Sequence, residues 1–232
     1  ALRNASPSFD HWLGTDKMGR DIFVRILFGA RISLAVGCLA AVINLIVGTI
    51  YGGIAGYVGG KVDMIMMRVV DIIYSVPSML YIVLIMLIFG ASVVSIMLGI
   101  SITCWIDMAR IVRQQVKSLK EQEFTMAAFV LGASSSRILL KHLLINTMGQ
   151  IIVTVTLMVP QAIFTEAWLS FLGVGISAPM ASWGTLAQDA RELIMTYPMQ
   201  TVYPMIAICI TIFSFNFVGE GLEKALDPKR KR

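Results

Sequence analysis

Charge is scarce in this sequence: 14% of its 232 residues are charged, whereas 57% are hydrophobic. A soluble domain is about 25% charged and about 45–50% apolar, so too little polar surface exists to wrap a water-soluble globule. Cysteine and histidine are almost missing. Cys38, Cys104 and Cys209 lie in apolar tracts without paired spacing, and His11 and His142 stand apart from other metal-ligand residue types. Neither a disulfide framework nor a metal site is indicated, and the cysteines read as small buried hydrophobes. No Gly-rich phosphate-binding motif of the Walker type occurs, so this sequence offers no nucleotide site of that kind. No paired intramembrane Asp, His cluster or Ser/Lys set points to a membrane enzyme. Internal repeats with ion-coupling groups at mid-membrane, the marks of a self-sufficient secondary transporter, are also missing.

What is present is a series of uncharged tracts: residues 32–60, 72–106, 143–165, 167–188 and 193–219. A hydrocarbon core about 30 Å thick needs roughly 20 helical residues, so these are candidate spans of an integral membrane protein. The tract 72–106 is too long for one span, and Gly90, Ala91 and Ser92 near its middle form a turn signal. It reads as a helical hairpin with arms at 64–89 and 93–112. The tract 167–188 holds Gly173, Gly175, Pro179 and Gly184 beside Trp168 and Trp183. That density of glycine and proline predicts an interfacial or re-entrant loop, and Trp favours the interface. Five spans result, at 32–54, the two hairpin arms, 147–165 and 201–219.

Five crossings put the chain ends on opposite sides, and Lys and Arg set the orientation. Of the 19 basic residues, 13 fall on the side of Lys61, Arg68, the stretch 110–141 and the tail, which is therefore expected to be cytoplasmic. The expected organisation is an extracytoplasmic or interfacial segment 1–31, a transmembrane domain 32–219 and a basic cytoplasmic tail 220–232. Within the domain lie a cytoplasmic loop 113–142 and an extracytoplasmic loop 167–200. Residues 1–25 have no apolar segment to carry them outward, so an upstream span absent from this sequence is expected.

The loop 113–142 is patterned. Arg110, Arg113, Lys117 and Lys120 recur on one helix face, which reads first as a solvated basic face. Glu123 and the apolar run after it lead to Ala127 and Ala128, whose small side chains leave a surface another protein can approach closely. Gly132 suits a helix C-terminus and a serine of the triplet 134–136 can cap the next helix. By residue chemistry alone this helix-turn-helix serves equally as a linker or as a docking element.

Ala127 and Ala128, Gly132 after three intervening residues, and the basic-apolar stretch to Leu144 resemble the EAA coupling loop of ABC importer permeases. Met126 and Ile145 depart from the general pattern, which has Glu and Pro there; Glu123 lies nearby. The likeness extends from residue 12 to 228: Leu13-Gly14-Thr15-Asp16, Gly19-Arg20-Asp21, Gly29-Ala30-Arg31-Ile32-Ser33-Leu34, Ala55-Gly56-Tyr57, Met67-Arg68 with Asp71 and Pro77, Leu169-Ser170-Phe171-Leu172-Gly173, Ser182-Trp183-Gly184 and Leu226-Asp227-Pro228. These resemble the C-type permease subunit of the dipeptide, oligopeptide and nickel importers. The resemblance implies an all-α polytopic permease of the MetI-like fold in a bacterial or archaeal cytoplasmic membrane. It implies a second homologous permease subunit, two cytoplasmic ATPases that bind the ATP, and an extracytoplasmic solute-binding protein. No cofactor and no nucleic acid are expected, and the solute is a peptide or a related species such as a nickel complex, glutathione or an opine. It assigns Glu123, Ala127, Ala128, Gly132, Ser134, Arg137 and His142 to ATPase coupling.

Four further residues are candidates for the path or its gate. Glu166 ends an uncharged span, where an acid is costly; structural hydrogen bonding, path lining and interfacial exposure all remain open to it. Arg68 and Asp71 can pair on one helix face, and Pro77 can kink that helix, for structure or for gating. Asp107 and Arg110 repeat the pairing spacing. Trp168 and Trp183 mark the loop expected to face the binding protein. The glycines of the first span, Gly37, Gly48, Gly52, Gly53 and Gly56, read as close helix contacts.

Overall fold

The computed structural model describes residues 2–176 and 180–226. Eight helical elements occur among them: α1 (Ile22–Val58), α2 (Gly60–Ser75), α3 (Ser78–Phe89), α4 (Val93–Lys120), α5 (Glu123–Val130), α6 (Ser135–Phe171), α7 (Trp183–Arg191) and α8 (Pro198–Leu226). α1, α4, α6 and α8 are each long and apolar enough to cross a membrane. α2 and α3 together make a fifth candidate, bent by 75°. Pro77 causes that bend: with no N–H to donate and a fixed φ, it ends α2 at Ser75 and restarts the chain as α3. The arm expected over 64–89 is thus two helices.

The spans outrun their uncharged tracts. α1 begins ten residues before its tract, because Asp21 accepts a hydrogen bond from the Val24 N–H and caps the helix there. α6 runs past the expected end at 165 to Phe171, so Glu166 lies inside a helix. The tract 167–188 is not one loop. Its first part completes α6, and Ser182 with Thr185 forms a capping box that starts α7. Pro179 and the pair Asp227 and Pro228 lie outside the described residues, as do the basic residues 229–232.

Glycine sets the closest helix contact. Gly48, Gly52 and Gly56 recur every four residues along α1 and face α4. A Cβ on Gly48 would come within 2.6 Å of Met108 Cβ, one on Gly56 within 2.6 Å of the Arg113 carbonyl oxygen, and one on Gly52 would meet the Ala109 carbonyl. The seam admits only backbone-to-backbone approach, the small-residue packing that substitutes for a hydrophobic drive in lipid. Connections place the N-terminal segment, the α3–α4 turn and α7 at one end of the bundle, and the α1–α2 turn and α5 at the other. Cys38 and Cys209 are exposed and Cys104 is half-buried, so only Cys104 approaches the expected burial.

Candidate functional site

At the α5 end, the basic face of α4 is not simply solvated. The Arg113 guanidinium grips the Asp63 carboxylate from Nε and from Nη2 (2.6 Å), and Lys117 Nζ joins it at 3.3 Å. Asp63 itself is buried. Lys120 Nζ donates to the Tyr57 carbonyl (2.6 Å) and sits over the Tyr57 ring. Arg110 Nη2 lies 3.1 Å from Asp71 Oδ1 and over the Tyr74 ring. Four cations on one face therefore clasp α1 and α2 to α4. Two expected pairings fail for this reason: Asp71 takes Arg110 from another helix rather than Arg68, and Asp107 loses Arg110 to Asp71. Arg68 is exposed and makes no ion pair among the described residues.

From this base α5 projects. Gly132 adopts φ +83°, the left-handed conformation that glycine accepts freely. The Ala133 N–H reaches the Ala128 carbonyl (3.1 Å) and the Gly132 N–H the Phe129 carbonyl (3.0 Å), the two bonds of a Schellman ending. Ser134 Oγ accepts from the Arg137 N–H, capping α6. Thr125 Oγ1 donates to the Leu119 carbonyl (2.8 Å) and fixes the base of the element. The two alanines differ. Ala128 turns inward onto the core of Val112, Val116 and Ile138, whereas Ala127 is exposed. The smooth surface expected from both therefore belongs to Ala127 alone. Around it stand Met126, Phe129, Val130 and Leu131, the last 86% exposed. Glu123 opens α5 from an exposed position, Arg137 is exposed, and His142 is half-buried in a π-helical turn, Ile138–Leu143.

At the opposite end the same chain is tightly stitched. Glu166 is fully buried, accepting from Ser33 Oγ of α1 (3.1 Å) and from Ser170 Oγ (2.7 Å). The Trp183 N–H donates to the same Ser33 hydroxyl (3.3 Å), so one carboxylate ties α1, α6 and the start of α7. Of the three roles open to Glu166, the geometry is that of a structural hydrogen-bond acceptor, enclosed by this chain rather than facing a path. Trp183 corrects the sequence reading too: it is buried, and its Nε1–H donates to the Ile26 carbonyl (3.0 Å). Trp168 stays 44% exposed.

The N-terminal segment joins this cap, which sequence reasoning did not foresee. Arg25 bridges Asp16 (2.8 Å) and Asp189 of α7 (3.0 Å), and Arg20 Nε adds a bond to Asp16 (2.7 Å). Gln200 Nε2 of α8 donates to the Thr15 carbonyl (3.0 Å). Burial would raise the Asp16 carboxyl, but hydrogen bonds from the Arg20 N–H and guanidinium and from the Met18 N–H outweigh it and hold it below the ordinary carboxylate range. Asp21 is also lowered, since burial is outweighed there by the Val24 N–H and by His11. Opposite charges in Asp16, Arg20, Arg25 and Asp189 were the available signal, but only the fold joins residues so far apart in sequence.

Four long apolar helices, a bent pair that makes a fifth candidate span, and a short helix projecting at one end give the architecture of a polytopic membrane protein. The chain belongs to the family described as the binding-protein-dependent transport system inner membrane component, whose model matches residues 48–232. It is 53% identical over 97% of its length to the oligopeptide transport system permease protein OppC of Bacillus subtilis, covering 74% of that protein. It is 48% identical to the dipeptide transport system permease protein DppC of the same organism, over 99% of this chain and 72% of that one. It is thus a multi-pass membrane permease subunit of the oligopeptide and dipeptide group of ABC importers, and not itself an enzyme. The fold is shared with a chain of the MetNI methionine ABC transporter in inward-facing conformations, at TM-score 0.70 and 16% identity over 89% of this chain and 96% of that one. A chain of an amino acid ABC transporter matches at TM-score 0.67 and 14% identity, over 88% and 94%.

Proposed function

We propose that this chain is one of two homologous permease subunits that together enclose a path for peptides, in a bacterial cytoplasmic membrane. One of two cytoplasmic ATPases docks on α5, and an extracytoplasmic binding protein delivers solute at the α7 end. The observation that carries the peptide assignment is the near-full-length identity with oligopeptide and dipeptide permeases. Support for coupling comes from α5 itself: an exposed apolar knob of Phe129, Val130 and Leu131, held rigidly by Thr125, Ala128 and the Gly132 turn. Such a knob packs into a complementary groove and transmits displacement, because its base is tied to α4 by the Thr125–Leu119 hydrogen bond and by Ala128 packed on Val112 and Val116. Motion of α5 then tilts α4 and α6, which both line a cavity of this chain, and alternates access to the path. The π-helical turn just beyond Arg137 is a further place where α6 can yield.

The assembled transporter, reconstituted with its ATPases and binding protein, should accumulate labelled di- and tripeptides only with ATP. Failure of every peptide under conditions where ATP hydrolysis is stimulated by the loaded binding protein rejects the peptide assignment. Orientation is tested separately in a version without native cysteines: Ser135→Cys and Glu192→Cys should label from opposite faces, and labelling from one face rejects the proposed sidedness.

A further inference from the structure

Midway between the two ends, α1, α4, α6 and the α2–α3 bend enclose a cavity of about 450 Å³, within the range of small-ligand sites. Three irregularities of the fold converge on it. α1 carries a π-helical turn beginning at Asn44, a kind of bulge frequently found at functional positions. The 75° bend at Val76 and Pro77 opens the helix ladder there, so backbone at residues 75–78 lines the space. Asn44 is 1% exposed, and its Oδ1 has no hydrogen-bond partner. Its amide nitrogen lies against Met158 Sδ and its oxygen has no surface open to the cavity, so Asn44 shapes the wall without offering an acceptor.

Asp107 supplies the charge. It lies near the midpoint of the 28-residue α4, is exposed where it lines the cavity, and makes neither ion pair nor hydrogen bond through its side chain among the described residues. Its helix neighbour Arg110 is held away by Asp71 and the Tyr74 ring. The other titratable groups on the wall, Tyr74 and Cys104, add no positive charge, and Thr103 and Gln161 contribute further polar groups. An ionisable residue within a span is by default a functional one. A carboxylate and unravelled backbone, with no Lys or Arg among the lining residues, suit a group carrying several N–H donors and a positive charge.

We infer that this cavity is a transient site for an ammonium group of the transported solute. On the peptide reading proposed above, on which this assignment of the ligand rests, the group is the free amino terminus of the peptide, held by Asp107 as it passes the bend.

The test uses the assembled transporter in proteoliposomes, with the three native cysteines of this chain replaced by serine and Thr103→Cys introduced as a reporter. Modification of that residue by a trimethylammonium and by a sulfonate methanethiosulfonate is followed by mass spectrometry of this chain, each rate divided by that for a small thiol in solution. The cationic reagent should be favoured roughly tenfold, the order expected for one nearby charge in a medium between protein and water. Asp107→Asn should bring the ratio to within about twofold of unity and Asp107→Glu should restore it. Trialanine should slow the cationic reagent and N-acetyl-trialanine should not. A ratio unaffected by Asp107→Asn, or equal effects of the two peptides, overturns the site. Trialanine uptake by the unmodified transporter is measured in parallel. If uptake is missing while the Asp107-dependent ratio holds, the peptide reading fails and a cation site remains. If uptake occurs while the ratio ignores Asp107, the site fails and the peptide reading stands.

Discussion

The two ends of this bundle solve opposite problems with the same kinds of residue. At the cap, Glu166, Ser33, Asp16, Arg25 and Asp189 satisfy one another within the chain. At the far end the four basic residues of α4 are equally well partnered, yet α5 beyond them leaves Phe129, Val130 and Leu131 in the open. Polar groups are closed off where the bundle must hold its shape, and apolar groups are left open where another molecule must be met. An exposed apolar cluster on a rigid support is the mark of an interaction surface. Variants of the two regions should therefore separate: cap variants lose the fold, and α5 variants keep the fold and lose coupling.

The largest effect is expected at Glu166. Replacement by Ala strands the Ser33 and Ser170 hydroxyls in a buried seam and should cost about 3 kcal/mol, at the usual 1–3 kcal/mol per unsatisfied buried group. Thermal unfolding in detergent should show it, while Glu166→Gln, which keeps an acceptor, should lie much closer to the parent. Equal stability of Glu166→Ala would dissolve the contrast between the ends.

Next comes Asp63→Ala, which leaves Arg113 and Lys117 without their shared partner at a partly buried site. About 2 kcal/mol of destabilisation is expected, between the values for exposed and fully buried pairs. Its neighbour Asp71→Ala, in a largely exposed pair with Arg110, should cost under about 1 kcal/mol. A reversed order, measured in the same denaturation assay, would show that burial does not grade these pairs.

Acid sharpens the picture at the cap. Because the Asp16 carboxyl titrates lower folded than unfolded, its contribution is complete above its ordinary value near pH 4 and is lost as pH falls through the lowered folded value. Asp16→Asn should thus flatten stability against pH below about 4 and change little in that slope above 5. The smallest effect belongs to Lys17→Ala, whose 3.4 Å pair with Glu192 is exposed and should be worth at most about 0.5 kcal/mol.

How much of this was legible depends on whether a feature is local. Composition and the uncharged tracts revealed a helical membrane protein, and the turn at Gly90 and Ser92, the Gly132 helix ending and the Ser134 cap were readable because each is set by neighbours in sequence. Helices run beyond the uncharged tracts wherever the chain stays helical through charged residues, as α1 does from its Asp21 cap and as α6 does past Glu166. Pairing rules based on helix spacing named Arg68–Asp71 and Asp107–Arg110, and tertiary contacts replaced both. Trp183 illustrates the same limit: interface preference suggested exposure, but a capping box buried it against Ile26. The difference between Ala127 and Ala128 was equally hidden, since both are small and only the packing of α5 turns one of them inward.

The central claim is that α5 is an open docking element on a closed scaffold, and the most direct measurement is ATPase association by a variant altered only on that surface. Phe129→Asp combined with Leu131→Asp changes two exposed side chains and no internal contact described above. With the partner permease co-expressed, this variant should show the parent's thermal unfolding and permease pairing, yet recover less than about a tenth of the ATPase, the loss expected when roughly 1.4 kcal/mol or more of docking is removed. ATPase recovery and peptide uptake equal to the parent's would contradict the account and leave α5 as a linker between α4 and α6.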